Sequence, residues 1–272
     1  MEMRLKMKMS IVGMLAETFV HPGTGQNVGA IDLPVAREAA TGYPFITGSS
    51  LKGALLDDYR EHDSEGAERI FGKQDSAGNL LVSDARLLLL PVRSLSSAYR
   101  WVTCPHILER LRRDLKRGRR EAAFEVPRVE NKSALGHPGN GRLFLEERSF
   151  DVQGNVPEDV IGAVSSLIPH EETRGRLAGQ LTILSDDDFS WFARYGLAVQ
   201  ARNVLDPKTK KTKQGGLWYE ETLPPDTLMY AVLAERNGGG DIERVREKIG
   251  THLQVGGNET VGQGWFALGW EA

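Results

Sequence analysis

The chain has 272 residues, 40% of them hydrophobic and 26% charged, enough for one large globular domain or two modest ones. Its formal net charge of -3 argues against a general polyanion binder, and its single cysteine, Cys104, excludes an internal disulfide or a cysteine-rich zinc site. No apolar run approaches bilayer length, and residues 1–10 alternate charged with apolar side chains, so a cytoplasmic protein with no membrane partner is expected.

The first predicted element is a strand at 4–11, where Leu5, Met7, Met9 and Ile11 alternate with Arg4, Lys6, Lys8 and Ser10. After a glycine-rich loop comes a helix near 50–61, which Ser49 or Ser50 can cap and which Leu51, Ala54, Leu55 and Tyr59 give an apolar stripe. A second strand is predicted near 80–91, its leucine run stopped by Pro91. An Arg-rich helix near 105–117 follows, with Ile107, Leu108, Leu111 and Leu115 on one side and Gly118 as its stop. Next come a strand near 142–150 and helices near 156–168 and 185–195, the latter opening on Ser185 and three aspartates. A strand at 227–235, a helix at 241–254, a glycine-rich turn at 256–264 and a strand at 265–270 complete the order. Two β-α-β units predict an α+β fold with a ferredoxin-like (RRM-like) split βαβ core, whose open sheet face can meet a single strand of RNA. We expect a single domain over 1–272. Its core covers about 1–91 and 226–272, a large insertion about 92–201, and an exposed hairpin about 202–225.

Several residues could carry chemistry. Asp32 follows Gly23, Gly25 and Gly29 and lies two residues before Pro34, which makes it extended and accessible. Its carboxylate could accept a ribose 2′-OH proton or hold a hydrated magnesium ion, although an Asp in a turn is by itself more often structural. His21, at the head of the same loop, could shuttle a proton or contact phosphate, or simply be a satisfied loop residue. Lys52 stands in the first turn of its helix, beside Ser49 and Ser50, where a lysine is unfavourable unless an anion compensates; the competing reading is a lysine stretched into solvent. The basic clusters at 110–120 and 208–213 suit a phosphate backbone and equally suit a solvated face. In the hairpin, Lys208, Lys210 and Lys211 precede Trp218 and Tyr219. Glu220 and Glu221 follow, and on one strand they point to opposite faces, so at most one can join a site. The run Gly256–Gly257 to Gly262 and Gly264 is weak evidence on its own.

Taken together, H-P-G-T-G-Q-N-V-G-A-I-D-L-P, then T-G-Y-P-F-I-T-G-S-S-L-K-G, and the late G-G-N-E-T-V-G-Q-G resemble the signatures of RAMP proteins from CRISPR effector complexes. Within that superfamily the chain is most similar to the repeated backbone subunit of the type III-B (Cmr) complex. The resemblance implies copies stacked head to tail on a guide RNA beside other effector subunits, cutting a complementary target RNA once per copy. The implied reaction is 2′-OH attack leaving a 2′,3′-cyclic phosphate. Asp32 matches the family's cleavage aspartate and is the possible metal ligand, with His21, Glu220 and Glu221 as possible assistants and Mg2+ as cofactor. Lys52, Ser49, Ser50, Gly23, Gly25, Arg37, Gly256, Gly257, Gly262 and Gly264 would hold the guide. The hairpin becomes a thumb that displaces a base, using Lys208, Lys210, Lys211, Trp218 and Tyr219. Cys104 departs from the pattern, since a serine is more usual there. Two rival readings are a binding scaffold of the same fold without chemistry and a guide-processing ribonuclease that works through histidine.

Overall fold

The computed structural model describes residues 8–25, 29–118 and 124–270. It is a mixed α/β fold with a large sheet and, among the described residues, seven α-helices. Strand β1 spans Lys8–Ala16. It starts later than predicted, and the Leu5–Met7 part of the alternation lies outside the described residues. From Ile11 onward every residue is buried, because both faces of the sheet are covered. Helix α1 spans Gly48–His62, and Leu51, Leu55 and Tyr59 are its buried stripe. Its cap is Thr47, whose hydroxyl accepts the Ser50 N–H at 3.3 Å, and not either serine. Helix α2, Ser64–Phe71, was not predicted; Asp63 caps it through the Gly66 N–H at 2.8 Å.

The predicted 80–91 strand is two strands, β2 (Leu80–Val82) and β3 (Ala85–Arg93). Pro91 does not stop β3. By that point the strand has passed the last residue paired on one side and keeps a partner only on the other, so the missing N–H costs little. Then come β4 (Tyr99–Thr103) and α3 (Pro105–Arg117), the helix lying where its period placed it. The predicted 142–150 strand spans a turn: β5 (Ser133–Gly136) precedes a hairpin of β6 (Gly141–Leu145) and β7 (Arg148–Gly154). Helices α4 (Glu158–Ser165) and α5 (Glu171–Gln180), strand β8 (Leu181–Leu184) and helix α6 (Asp186–Tyr195) complete the insertion.

The exposed hairpin is β9 (Ala198–Leu205) with β10 (Thr212–Thr222). Strand β11 (Leu228–Glu235) and helix α7 (Asp241–Ile249) follow. Gly250, at φ 72, ends α7 earlier than predicted, and His252–Gln254 become β12 before the last strand, β13 (Trp265–Trp270).

The large sheet runs β12-β13-β1-β11-β3-β4-β8-β5-β7-β6. It then curls back on itself: Leu145 at the end of β6 bridges Ser94, just past β3. Helix α7 packs on one face, where Glu235 accepts the Gly240 and Ile242 N–H groups. The opposite face is not open. Asp114 of α3 reaches it and accepts hydrogen bonds from Arg86 (2.6 Å) and Tyr230 (3.0 Å). Burial, with the Asp114 charge adding, pushes the Tyr230 phenol upward. On the same face Gly13 pairs with Gly269, and the Leu167 carbonyl rests where a Cβ on either would sit. A flat RNA-binding sheet face, expected from the core alone, is therefore absent here: the insertion fills it.

Candidate nucleic-acid interface

The glycine-rich N-terminal loop is laid along one edge of β10. Val20 and Leu223 exchange backbone hydrogen bonds of 3.0 and 2.8 Å. The ring of His21 caps the Glu221 carbonyl through Nδ1 at 2.8 Å. A carbonyl only accepts, so Nδ1 carries the proton and Nε2 is left facing Gly23. The loop returns at Asp32. Its exposed carboxylate accepts the Tyr219 N–H at 2.8 Å, while Leu33 bonds the Tyr219 carbonyl and the Glu221 N–H at 3.1 and 2.9 Å. Asp32 thus stands at the root of the hairpin with Oδ1 unengaged among the described residues. The sequence placed both in one site, and the fold brings them together.

Glu220 and Glu221 do point to opposite sides, but neither reaches solvent: they are 1% and 3% exposed. Glu221 accepts the Val35 N–H at 3.0 Å and pairs with Arg37 at 2.6 Å. Glu220 faces Asn258, His21 and Arg202. Both carboxylates hold loops together, which gives each a structural use beside the catalytic one expected. Arg37 has framework contacts as well: besides Glu221 it donates to the Gly42 and Ala193 carbonyls, so it clamps this loop to the protein. His21 is 8% exposed, its ring fixed between the Glu221 carbonyl and Gly23.

Two clefts flank α1. The first, about 420 Å³, is walled by His21 and Gly23, by Ser50 and Asp57 of α1, and by Gly256 and Gly257. The two glycine-rich loops meet here, the Gly257 N–H donating to the His21 carbonyl at 3.0 Å. Gly264 closes the second loop, its N–H bonded to the Phe19 carbonyl at 2.8 Å, and Gly262, at φ 78, ends a short 3₁₀ turn in it. Gly25 lies exposed at φ 93 near the open end of the first loop. The second cleft, about 460 Å³, lies on the other side of α1 and is lined by Ser49, Lys52, Lys73 and Arg236. Burial lowers the Lys52 ammonium below its ordinary value, and the neighbouring Arg236 charge lowers it further. The α1 N-terminus itself is already served, since Asp84 accepts the Gly48 N–H at 2.6 Å. Lys52 with Arg236, and not the helix end, is the feature suited to a phosphate.

At the hairpin tip Lys208, Lys210 and Lys211 are exposed. The turn is organised by Asp206, which accepts the Lys208 and Thr209 N–H groups at 3.0 and 2.8 Å. Leu217 and Tyr219 share one exposed face, while Trp218 lies opposite, against Arg202. The Trp218 indole N–H is buried without a partner among the described residues.

Magnesium was expected at Asp32. Among the described residues no three His, Cys, Asp or Glu side chains gather as a metal site. One free carboxylate oxygen does not make a protein cage for the ion.

Sequence reasoning missed Asn258 and Arg236. Asn258 holds the late glycine loop against Glu220, and its positive φ of 65 is the kind of position where asparagine follows glycines. Arg236 lay in a strand end with no motif.

The RAMP superfamily model matches residues 14–267, and the chain belongs to that superfamily. It is 35% identical to "CRISPR system Cmr endoribonuclease Cmr4" of Pyrococcus furiosus over 282 residues, 96% of this chain and 95% of that one. It is 25% identical to "CRISPR system CMR subunit Cmr4" of Saccharolobus solfataricus, over 94% of each. The crystal structure of oligomeric Cmr4 from Pyrococcus furiosus matches with a TM-score of 0.79 at 30% identity, covering 97% and 98% of the two chains. These relatives meet both the superfamily and the type III-B branch read from the motifs.

Proposed function

We propose that this chain is the guide-RNA-binding backbone subunit of a type III-B CRISPR ribonucleoprotein that cuts complementary target RNA at regular intervals. The observation that carries the reading is Asp32: an exposed carboxylate, held by the Tyr219 N–H, at the root of a cationic hairpin. In this role Oδ1 takes the proton of a target 2′-OH. The 2′ oxygen bonds to the adjacent phosphorus, the P–O5′ bond breaks, and the departing oxygen is protonated from water. The products are a 2′,3′-cyclic phosphate and a 5′-OH. A magnesium ion would be held mostly by water and by phosphate oxygens and would supply charge neutralisation. The guide lies along the two glycine-rich loops, with Lys52 and Arg236 taking phosphate, and the hairpin acts as the thumb.

The strand order β13-β1-β11-β3, with α1 after β1 and α7 after β11, supports a ferredoxin-like core. We read the whole as one RAMP domain, with an insertion at about 92–201. Copies stack head to tail through non-closing contacts, other effector subunits cap the stack, and the assembly works in the cytoplasm. No described helix is long and apolar enough to cross a membrane.

One observation favours the scaffold alternative: the Asp32–Tyr219 bond alone gives the aspartate a structural use. End-group analysis of target RNA cut by the reconstituted complex separates the readings. We expect 2′,3′-cyclic ends, and no cutting where a single 2′-deoxy nucleotide replaces the attacking ribose. Continued cutting at that nucleotide would refute the 2′-OH mechanism.

A further inference from the structure

A further concave surface lies at the β12 edge of the sheet. It is a cleft of about 650 Å³ between the α4–α5 connection, the end of α7 and strands β12 and β13. Arg174, Arg246, His170 and His252 line it, and no carboxylate does. Glu17 stands behind His170, 2.7 Å from its Nε2. Both arginines are exposed, and among the described residues neither forms an ion pair or a side-chain hydrogen bond. In a chain of net charge -3, two exposed guanidinium groups lining one cleft, with only the charge of Glu243 one turn from Arg246 acting on either among the described residues, suit an anion.

The rest of the lining suits what an anion brings with it. Leu268 forms an apolar floor, and the half-buried Trp270 ring is fixed by its N–H, which donates to the Gly250 carbonyl at 3.1 Å. A fixed indole beside cations matches a base attached to a phosphate. The volume falls in the range of small-ligand sites. Position fits as well. His252 and Gln254 share a face of β12 two residues apart, and Gln254 lines the cleft of the glycine loops. One residue lining each cleft thus lies on the same strand, the two about 7 Å apart.

We propose that this cleft is a second nucleotide site, in which Arg174 and Arg246 take the phosphate and Trp270 stacks on the base. The nucleotide belongs either to an RNA strand leaving the first cleft or to the free pool. Only the strand source rests on the RNA-binding reading above.

The test titrates a short oligoadenylate and AMP, separately, into the full chain, into R174Q/R246Q and into K52A/R236Q. Unchanged melting temperatures establish that the variants are folded. For the strand source, R174Q/R246Q weakens oligoadenylate binding about tenfold. It also flattens the slope of log affinity against log salt by about 0.7, the share of one phosphate, while AMP does not bind. For the free-pool source, AMP binds wild type and is lost in R174Q/R246Q. AMP binding without oligoadenylate binding would count against the RNA reading and leave this site standing. Loss of oligoadenylate only in K52A/R236Q, or wild-type affinity of R174Q/R246Q for both probes, overturns the site. So does failure of both probes to bind wild type.

Discussion

Glu221 shows how an acid in a functional region can belong to the framework. Its two oxygens are taken by Val35 and Arg37, and the charge is buried with its partner. Removing it strands a guanidinium and frees the loop that carries Asp32. Glu221→Ala should lower stability by about 2–4 kcal/mol, read as a fall in melting temperature, with RNA cutting reduced at lower temperature as well. A stable, inactive variant would place Glu221 in the catalytic set. Cys104 is a simpler case. It is fully buried, and burial pushes its thiol up to about 12, so the reactive thiolate is scarce near neutral pH. Iodoacetamide at pH 8 should leave the native chain unmodified and label it promptly in guanidinium chloride; rapid native labelling would contradict this burial. At this scale the sequence was legible where a motif isolates a residue, as with Asp32. It did not show the framework contacts of Arg37, Glu220 and Glu221, because adjacency to a site does not reveal which side chains the fold will engage.

At the scale of elements, the Gly13–Gly269 pair is what lets the insertion lie on the sheet. A methyl group at Gly13 meets the Leu167 backbone carbonyl, which cannot rotate away. Gly13→Ala should cost about 2–3 kcal/mol, far more than the usual effect of an added methyl in a strand. A neutral result would mean that the α4–α5 connection does not rest there. The hairpin behaves in the opposite way, since its tip is exposed and makes no core. Changing Lys208, Lys210 and Lys211 together to Gln should leave melting unchanged and flatten the salt dependence of RNA affinity by about 2. An unaltered slope would remove the tip from the RNA path. Long apolar periods made α3 and β11 readable nearly to the residue. Short elements such as α2 and the β6–β7 turn escaped, because their signals are caps and positive-φ positions that a period does not register.

On the scale of the whole molecule, the core order was legible from two β-α-β patterns, and the insertion was legible only as a length. Its consequence, a covered sheet face, required knowing where Leu167 and Asp114 land. The proposed RNA path therefore follows the loop edge, with the two glycine-rich loops and the hairpin root on one side of α1 and Lys52 on the other. The proposed cleavage depends on Asp32. The most direct measurement reconstitutes the complex with guide RNA, magnesium and end-labelled complementary RNA, and compares wild type with Asp32→Asn and Asp32→Ala. Asparagine can still accept the Tyr219 N–H through its amide oxygen, but it cannot take a proton. The account predicts a regularly spaced ladder for wild type, equal target binding by Asp32→Asn, and cutting slower by about 10²–10⁴ for both variants. A full ladder from Asp32→Asn would contradict it, leaving Asp32 as a clamp on the hairpin and this subunit as a scaffold.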